Sequence, residues 1–288
     1  MTTYLITGST GFVGKSLAHY LTSRGDRVTC ISRAELAAGK LSHASFDEQP
    51  ILIHSAWAGV LGKHRNSEEQ RTNEEITTQV IRLAEAHDVK TVIAFGSQAE
   101  YGNPNIRVDE SYPTAPTTLY GELKVRCHNI LRSCLDQAGF NLCWLRLYDP
   151  YGPGDNPAWF MPYVIKCALQ GESPNLTECT QYWDYIYIDD LCKCVQTLSA
   201  CPAPKDSTYN LSSDKPVQLR DVVDQIYAYI NPVHGRPRYG QVPFRADQVS
   251  HLQGSNEKLK AATGWQPLVS IEEGIKHTVN YFRSHGFE

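Results

Sequence analysis

Tyr120 and Lys124, four residues apart in the stretch LYGELK, form a pair suited to proton transfer. That spacing sets them on one helical face, and an ammonium beside a phenol favours the phenolate, drawing a group that ordinarily titrates at about 10 toward neutral pH. The same spacing also occurs on plain helix surfaces, so the pair needs partners. One is in AFGSQAEYG (94–102), where a run of strand formers turns abruptly small and polar at Ser97-Gln98, with Glu100 just behind.

A different chemistry is written in TGSTGFVG (7–14). Glycine supplies the unusual φ of a tight turn, lets backbone approach a pyrophosphate, and lets a helix pack closely on a strand. The helix that follows offers its N–H groups and partial positive charge to phosphate. Gly8, Thr10, Gly11, Phe12 and Val13 are therefore read as cofactor contacts. At the end of the second strand, an acid would hold a ribose 2′-OH and a basic residue a 2′-phosphate. CISRAE places Ser32 and Arg33 there, favouring NADP with NAD as the alternative. Asp47 is placed to reach the adenine, or to serve a turn.

The elements that must position these residues alternate. TYLITG (3–8) reads as a strand, and RVTCIS (27–32), ILIHSA (51–56) and TVIAFG (91–96) read as strands buried on both faces. FVGKSLAHYLTSR (12–24), residues 74–87 and YGELKVRCHNILRSCL (120–135) read as helices. This is the pattern of an α/β, doubly wound parallel sheet of Rossmann type. After Pro150 the texture changes to Gly, Pro and aromatics. We expect a dinucleotide-binding domain over 1–150 and a smaller C-terminal α/β substrate lobe over 151–288. Segments near 183–213, including the strand-like DYIYIDDL (184–191) and YNLSS (209–213), are expected to return to the Rossmann core.

Composition narrows the partners. With 27 basic and 31 acidic residues, the net charge of −4 sets up no global field for nucleic acid or an anionic membrane. No apolar run approaches the roughly 20 residues of a membrane span, and the N-terminus carries no leader pattern. Nine cysteines, scattered apart from Cys192 and Cys194, lack zinc-site spacing and read as reduced thiols. The expectation is a soluble cytoplasmic protein without a metal.

The ordered set TGSTGFVG, LIHSAW, Asn73 in RTNEEITTQVIRLAEA, FGSQAEYG, YPTAPTTLYGELK, LRLYDPYGPGDN, DYIYIDDL, YNLSS and TGWQPLVSIEEGI spans nearly the whole chain. It resembles the extended short-chain dehydrogenase/reductase family, in its nucleotide-sugar epimerase, dehydratase and ketoreductase branch. The resemblance implies that Ser97 binds the reacting oxygen, that Tyr120 transfers the proton, and that Lys124 binds the nicotinamide ribose while tuning the tyrosine. It also implies Ser55, Ala56 and Asn73 as cofactor contacts, a nucleotide-sugar substrate, and a homodimer packed through the helix carrying Tyr120.

The stretch after Ser97 separates the branches. The family's dehydratases have an Asp-Glu pair there, and this chain has Gln98-Ala99, with Glu100 displaced by one residue. A step of one along a strand reverses the side chain, so the acid–base equipment for eliminating water is missing. Reduction and epimerisation both remain. NADP favours an NADP(H)-dependent reductase of a nucleotide-activated 4-keto-6-deoxysugar over an NAD(P)-dependent epimerase, with a non-catalytic dinucleotide sensor as a third reading.

Two residues depart from the family pattern. Asp149 replaces an Asn near the pyrophosphate, and Trp183 an Arg that binds phosphate. Trp57, Gln98, Asp149 and Arg245 are the expected substrate contacts, and His54 is read as a core histidine.

Overall fold

The computed structural model describes residues 1–39, 41, 49–201, 206–245 and 248–287. The chain opens with β1 (Thr3–Thr7), α1 (Phe12–Ser23), β2 (Arg27–Ile31), the short α2 (Arg33–Ala38) and β3 (Ile51–His54). It continues with α3 (Thr72–Ala86), β4 (Thr91–Ser97), β5 (Arg107–Val108), α4 (Leu119–Ser133), α5 (Leu135–Ala138) and β6 (Asn141–Leu147). Next come β7 (Pro150–Tyr151), α6 (Phe160–Gln170), β8 (Tyr182–Trp183), β9 (Ile186–Tyr187), α7 (Ile188–Ala200) and β10 (Asp206–Leu211). The chain closes with β11 (Val217–Gln218), α8 (Leu219–Ile230), β12 (Gln253–Gly254), α9 (Glu257–Thr263) and α10 (Ile271–His285).

Six strands form one sheet in the order β10-β6-β4-β3-β1-β2, all parallel. The apolar strand sequences follow from burial on both faces, because alternate residues feed opposite cores. Tyr4, Ile6, Ile53, Ile93 and Leu145 pack on one side with Leu17 and Leu21 of α1 and Leu191 and Val195 of α7. Leu5, Leu52, Val92, Leu142 and Trp144 pack on the other with Val80 and Leu83 of α3 and Cys127 and Leu131 of α4. The chain leaves β1 for β2 on one side and crosses to β3 on the other, so the switch point lies between β1 and β3. Ligands of such sheets bind at that crevice, beyond the carboxyl ends of the strands.

Two expectations are corrected. RVTCIS is not buried on both faces: β2 is the edge strand, with Arg27 and Cys30 exposed. DYIYIDDL is strand only at Ile186–Tyr187, after which α7 begins at Ile188. Asp190 lies inside this helix and accepts the Leu268 and Val269 N–H groups at 3.1 and 2.9 Å, pinning the segment before α10. YNLSS does supply a central-sheet strand, β10. Among the described residues, no helix is long and apolar enough to cross a membrane.

Candidate active site

A cavity of about 1500 Å³ opens at the carboxyl ends of β1, β3, β4 and β6. Typical small-molecule pockets hold roughly 300–1,000 Å³, so this one has room for a dinucleotide and a second ligand together.

The glycine turn forms the floor at the switch point. Gly8 has φ +71°, and a Cβ there would lie 2.5 Å from the Ala56 nitrogen. A Cβ on Gly14 would lie 2.3 Å from the Gly8 carbonyl oxygen and 2.6 Å from Ser55 Oγ. Those two glycines serve the packing of α1 on β1 and β3. Gly11 differs, since a Cβ there would meet only the Gly8 oxygen at 3.5 Å. Its smallness leaves room on the cavity side. α1 starts without a side-chain cap or an acid in its first turn, leaving its first N–H groups for an anion. Thr10, Phe12, Val13, Ser55 and Ala56 line the same wall. These features fit the pyrophosphate of a dinucleotide.

At the end of β2, Ser32 and Arg33 both line the cavity. Ser32 is committed to a capping box: its hydroxyl donates to Glu35 Oε2 at 2.6 Å, its N–H donates to the same oxygen at 3.0 Å, and its Oγ accepts the Glu35 N–H. Arg33, the basic residue at this end, is exposed. Asp47 lies outside the described residues. Asn73 lies outside the cavity lining. Its Oδ1 accepts the Ala58 N–H at 2.8 Å, and its amide donates to the Ala58 and Gln70 carbonyls, so it clamps the loop after β3.

The catalytic candidates come together beyond β4. Ser97 ends the strand and caps the single turn 98–101, its Oγ accepting the Ala99 N–H at 3.1 Å. Tyr120 is the second residue of α4, whose N-cap Thr118 accepts the Gly121 N–H. Lys124 is one turn further and donates to the Phe95 carbonyl at 2.7 Å. Its ammonium also lies 3.5 Å over the Trp57 ring centre, and Trp57 meets Tyr120 edge-on at 5.8 Å. Trp57 thus lines the cavity and braces both members of the pair.

Electrostatics here differ from the simple pairing. Burial lowers Lys124 from 10.5 to about 7, because desolvation disfavours the ammonium. Burial likewise pushes the Tyr120 phenol above its usual value, while the Arg65 guanidinium and the Ser97 hydroxyl pull it down.

Glu100 is turned away. Fully buried, it accepts the Ser97 N–H at 2.8 Å, Trp144 Nε1 at 3.0 Å and Arg146 Nε at 2.8 Å. The reversal comes from the turn at 98–101, not from continued strand pleating. His54 is also a core residue: its Nδ1 is 2.9 Å from Thr7 Oγ1, and burial lowers it to about 3.

Gln98, Asp149, Trp183 and Arg245 also line the cavity. Burial raises Asp149 from 3.8 to about 6, against the opposing pull of Arg65 and a Trp183 hydrogen bond, and Asp149 Oδ2 has no hydrogen-bond partner. Among the lining residues that escaped the sequence reading are Arg65, Asp155 and Gln181. Arg65 sits in the charged run GKHRNSEEQR, which reads as surface. Asp155 lies in LRLYDPYGPGDN without having been singled out, and Gln181 directly precedes β8, beyond α6 in the chain. Burial raises Asp155 from 3.8 to about 7.

Comparison with known proteins agrees with this geometry. Residues 4–212 match the model of the NAD dependent epimerase/dehydratase family. The chain is 25% identical to a UDP-glucose 4-epimerase of Halalkalibacterium halodurans, over 98% of its own length and 96% of the relative's. Among solved structures, the Thermus thermophilus UDP-glucose 4-epimerase in complex with NAD superposes with a TM-score of 0.83 at 20% identity, covering 99% of this chain and 100% of that one. RMD from Pseudomonas aeruginosa complexed with NADPH gives 0.83 at 18% identity, covering 98% of this chain and 99% of that one. At those identities the solved structures speak for the fold, whereas the family model covers most of the chain, and the protein belongs to the NAD-dependent epimerase/dehydratase family, within its extended short-chain dehydrogenase/reductase nucleotide-sugar branch.

Proposed function

We propose that this protein is an NADP(H)-dependent reductase of a nucleotide-activated 4-keto-6-deoxysugar. The observation that carries the reading is the sequestration of Glu100 by Arg146, Trp144 and the Ser97 N–H. It leaves Ser97 and Tyr120, with no acid from the Ser97 turn beside them, to act on a sugar carbonyl. A bound nicotinamide supplies the hydride.

The chain's own residues do the rest. Gly8, Thr10, Gly11, Phe12 and Val13 hold the pyrophosphate of the dinucleotide, Ser55 and Ala56 border it, and Lys124 holds the nicotinamide ribose. The Ser97 hydroxyl binds the carbonyl oxygen, and the Tyr120 hydroxyl gives that oxygen its proton. Arg33 is proposed to accept the 2′-phosphate. Trp57, Gln98, Asp149 and Arg245 border the space left for the sugar nucleotide. The proposal includes a homodimer joined through α4, which light scattering tests.

A second reading, NAD(P)-dependent 4-epimerisation, is favoured by Glu35. Its carboxylate, held by Ser32 at the end of β2, would repel a 2′-phosphate and suits NAD.

The deciding experiment follows NADPH and NADH oxidation with CDP-, dTDP-, GDP- and UDP-linked 4-keto-6-deoxysugars in wild type and Tyr120→Phe. NADPH-dependent turnover should fall by about 10²–10⁴ in the variant. Arg33→Ala should cost NADPH about tenfold more than NADH. Tightly held NAD that copurifies, with interconversion of 4-epimers, would replace the first reading by the second. Conversion of a nucleotide hexose to its 4-keto-6-deoxy product would overturn both.

A further inference from the structure

Arg65 is on the loop between β3 and α3 and was drawn into the site by the fold. Its carbonyl accepts the Tyr120 N–H at 2.8 Å, tying the loop to the start of α4. Its guanidinium carbon lies 4.9 Å from the Tyr120 ring centre, closer than the Lys124 ammonium at 5.7 Å. Lys124 is already engaged by the Phe95 carbonyl and the Trp57 face. Arg65 Nε is buried with no hydrogen-bond partner, and the residue lines the cavity.

We propose that Arg65 is a positioning residue for the proton transfer, supplying over Tyr120 the positive charge that stabilises its phenolate. The inference rests on the reading that Tyr120 exchanges the proton with substrate. The charged and polar neighbours of the phenol pull in opposite directions. From α4, Lys124 is turned to Phe95; from β4 comes the neutral Ser97 hydroxyl. From the turn after it and from the end of β6, Glu100 and Asp149 oppose ionisation. Arg65 is the cation that answers them. An opposite charge within about 4–6 Å moves a titration by roughly one to three pH units, and partial exposure puts Arg65 at the low end.

The test is a titration of the protein carrying ¹³Cζ-tyrosine in its complex with NADP⁺, with Tyr120→Phe identifying the resonance. In Arg65→Met, whose backbone bond to Tyr120 is untouched, the Tyr120 midpoint should rise by about one pH unit. Arg65→Lys should recover most of the change. The alkaline limb of the reductive pH–rate profile should move upward in parallel. Coincident midpoints in wild type and Arg65→Met would overturn the proposal, whatever happens to turnover. Because the titration needs no sugar, it decides the role of Arg65 even where absence of turnover refutes the reductase reading.

Discussion

Glu100 Oε2 accepts the Nε–H of Arg146 at 2.8 Å, with both side chains buried beneath the turn that presents Ser97. The pair is completed by Tyr101, whose hydroxyl accepts from Arg146 Nη1 at 2.8 Å and donates to Asn210 Oδ1 at 2.8 Å. The network joins β4, β6 and β10 under the reaction centre. It makes the carboxylate of Glu100 a structural anion.

Removing one partner of such a pair strands the other charge in the core, at a cost of about 3–5 kcal/mol. Glu100→Gln should therefore lower the melting temperature by roughly 10 °C. Glu100→Gln combined with Arg146→Met should recover part of the loss. Calorimetry of the three proteins checks this, and a Glu100→Gln protein as stable as wild type would contradict it.

The glycine turn separates packing from binding. Gly14→Ala places a methyl 2.3 Å from the Gly8 oxygen, and such overpacking costs about 1–3 kcal/mol. Gly11→Ala has room in the protein and should melt within roughly 1 kcal/mol of wild type. It should nonetheless weaken NADP⁺ and NAD⁺ binding by at least about tenfold, since the methyl faces the pyrophosphate. Melting curves with and without dinucleotide distinguish the two.

Lys124 makes stability depend on pH. Its folded value is about 7 against 10.5 in the unfolded chain. Below 7 both states carry the proton and the folded protein bears the full cost of burying the charge. Between 7 and 10.5 the unfolded chain binds the extra proton, so stability rises with pH. The stability of wild type relative to Lys124→Met should climb across that window, measured by urea unfolding at several pH values. A flat difference would mean that the folded lysine keeps its proton.

Asp149 has the opposite sign. Its folded value is raised to about 6 from 3.8, so the stability it contributes is fully present below 3.8 and is lost as pH rises through about 6. Asp149→Asn should be more stable than wild type at pH 7.5 by roughly 1 kcal/mol, below the full linkage value because the site opens on the cavity. That corresponds to roughly 2–4 °C, and the advantage should vanish below pH 4. On the proposed reading, in which Asp149 borders the nucleotide sugar, affinity for it should also rise in this variant, because a negative charge beside the diphosphate would be gone. Calorimetry at the two pH values and titration with UDP-sugars test both parts.

Much of this molecule is written locally. The near-continuous apolar runs TYLIT, ILIH and TVIAFGS specify strands feeding two cores, and the spacing of Gly8, Gly11 and Gly14 specifies the turn under α1. Tyr120 and Lys124 share a helical face because 3.6 residues make a turn. These are short-range consequences of residue type and period, so the sequence alone determines the doubly wound sheet and places Ser97, Tyr120 and Lys124 beside it. Long-range contacts decided the rest. Glu100 became an ion-pair partner only because β6 brings Arg146 alongside β4. Arg27 and Cys30 of β2 are left exposed where the strand ends the sheet. Arg65, which reads as solvated charge in GKHRNSEEQR, lies over Tyr120 because its loop folds back onto the start of α4. Burial then moved Lys124 and Asp149 toward neutral pH, since desolvation depends on everything packed around a group and on nothing in its immediate sequence.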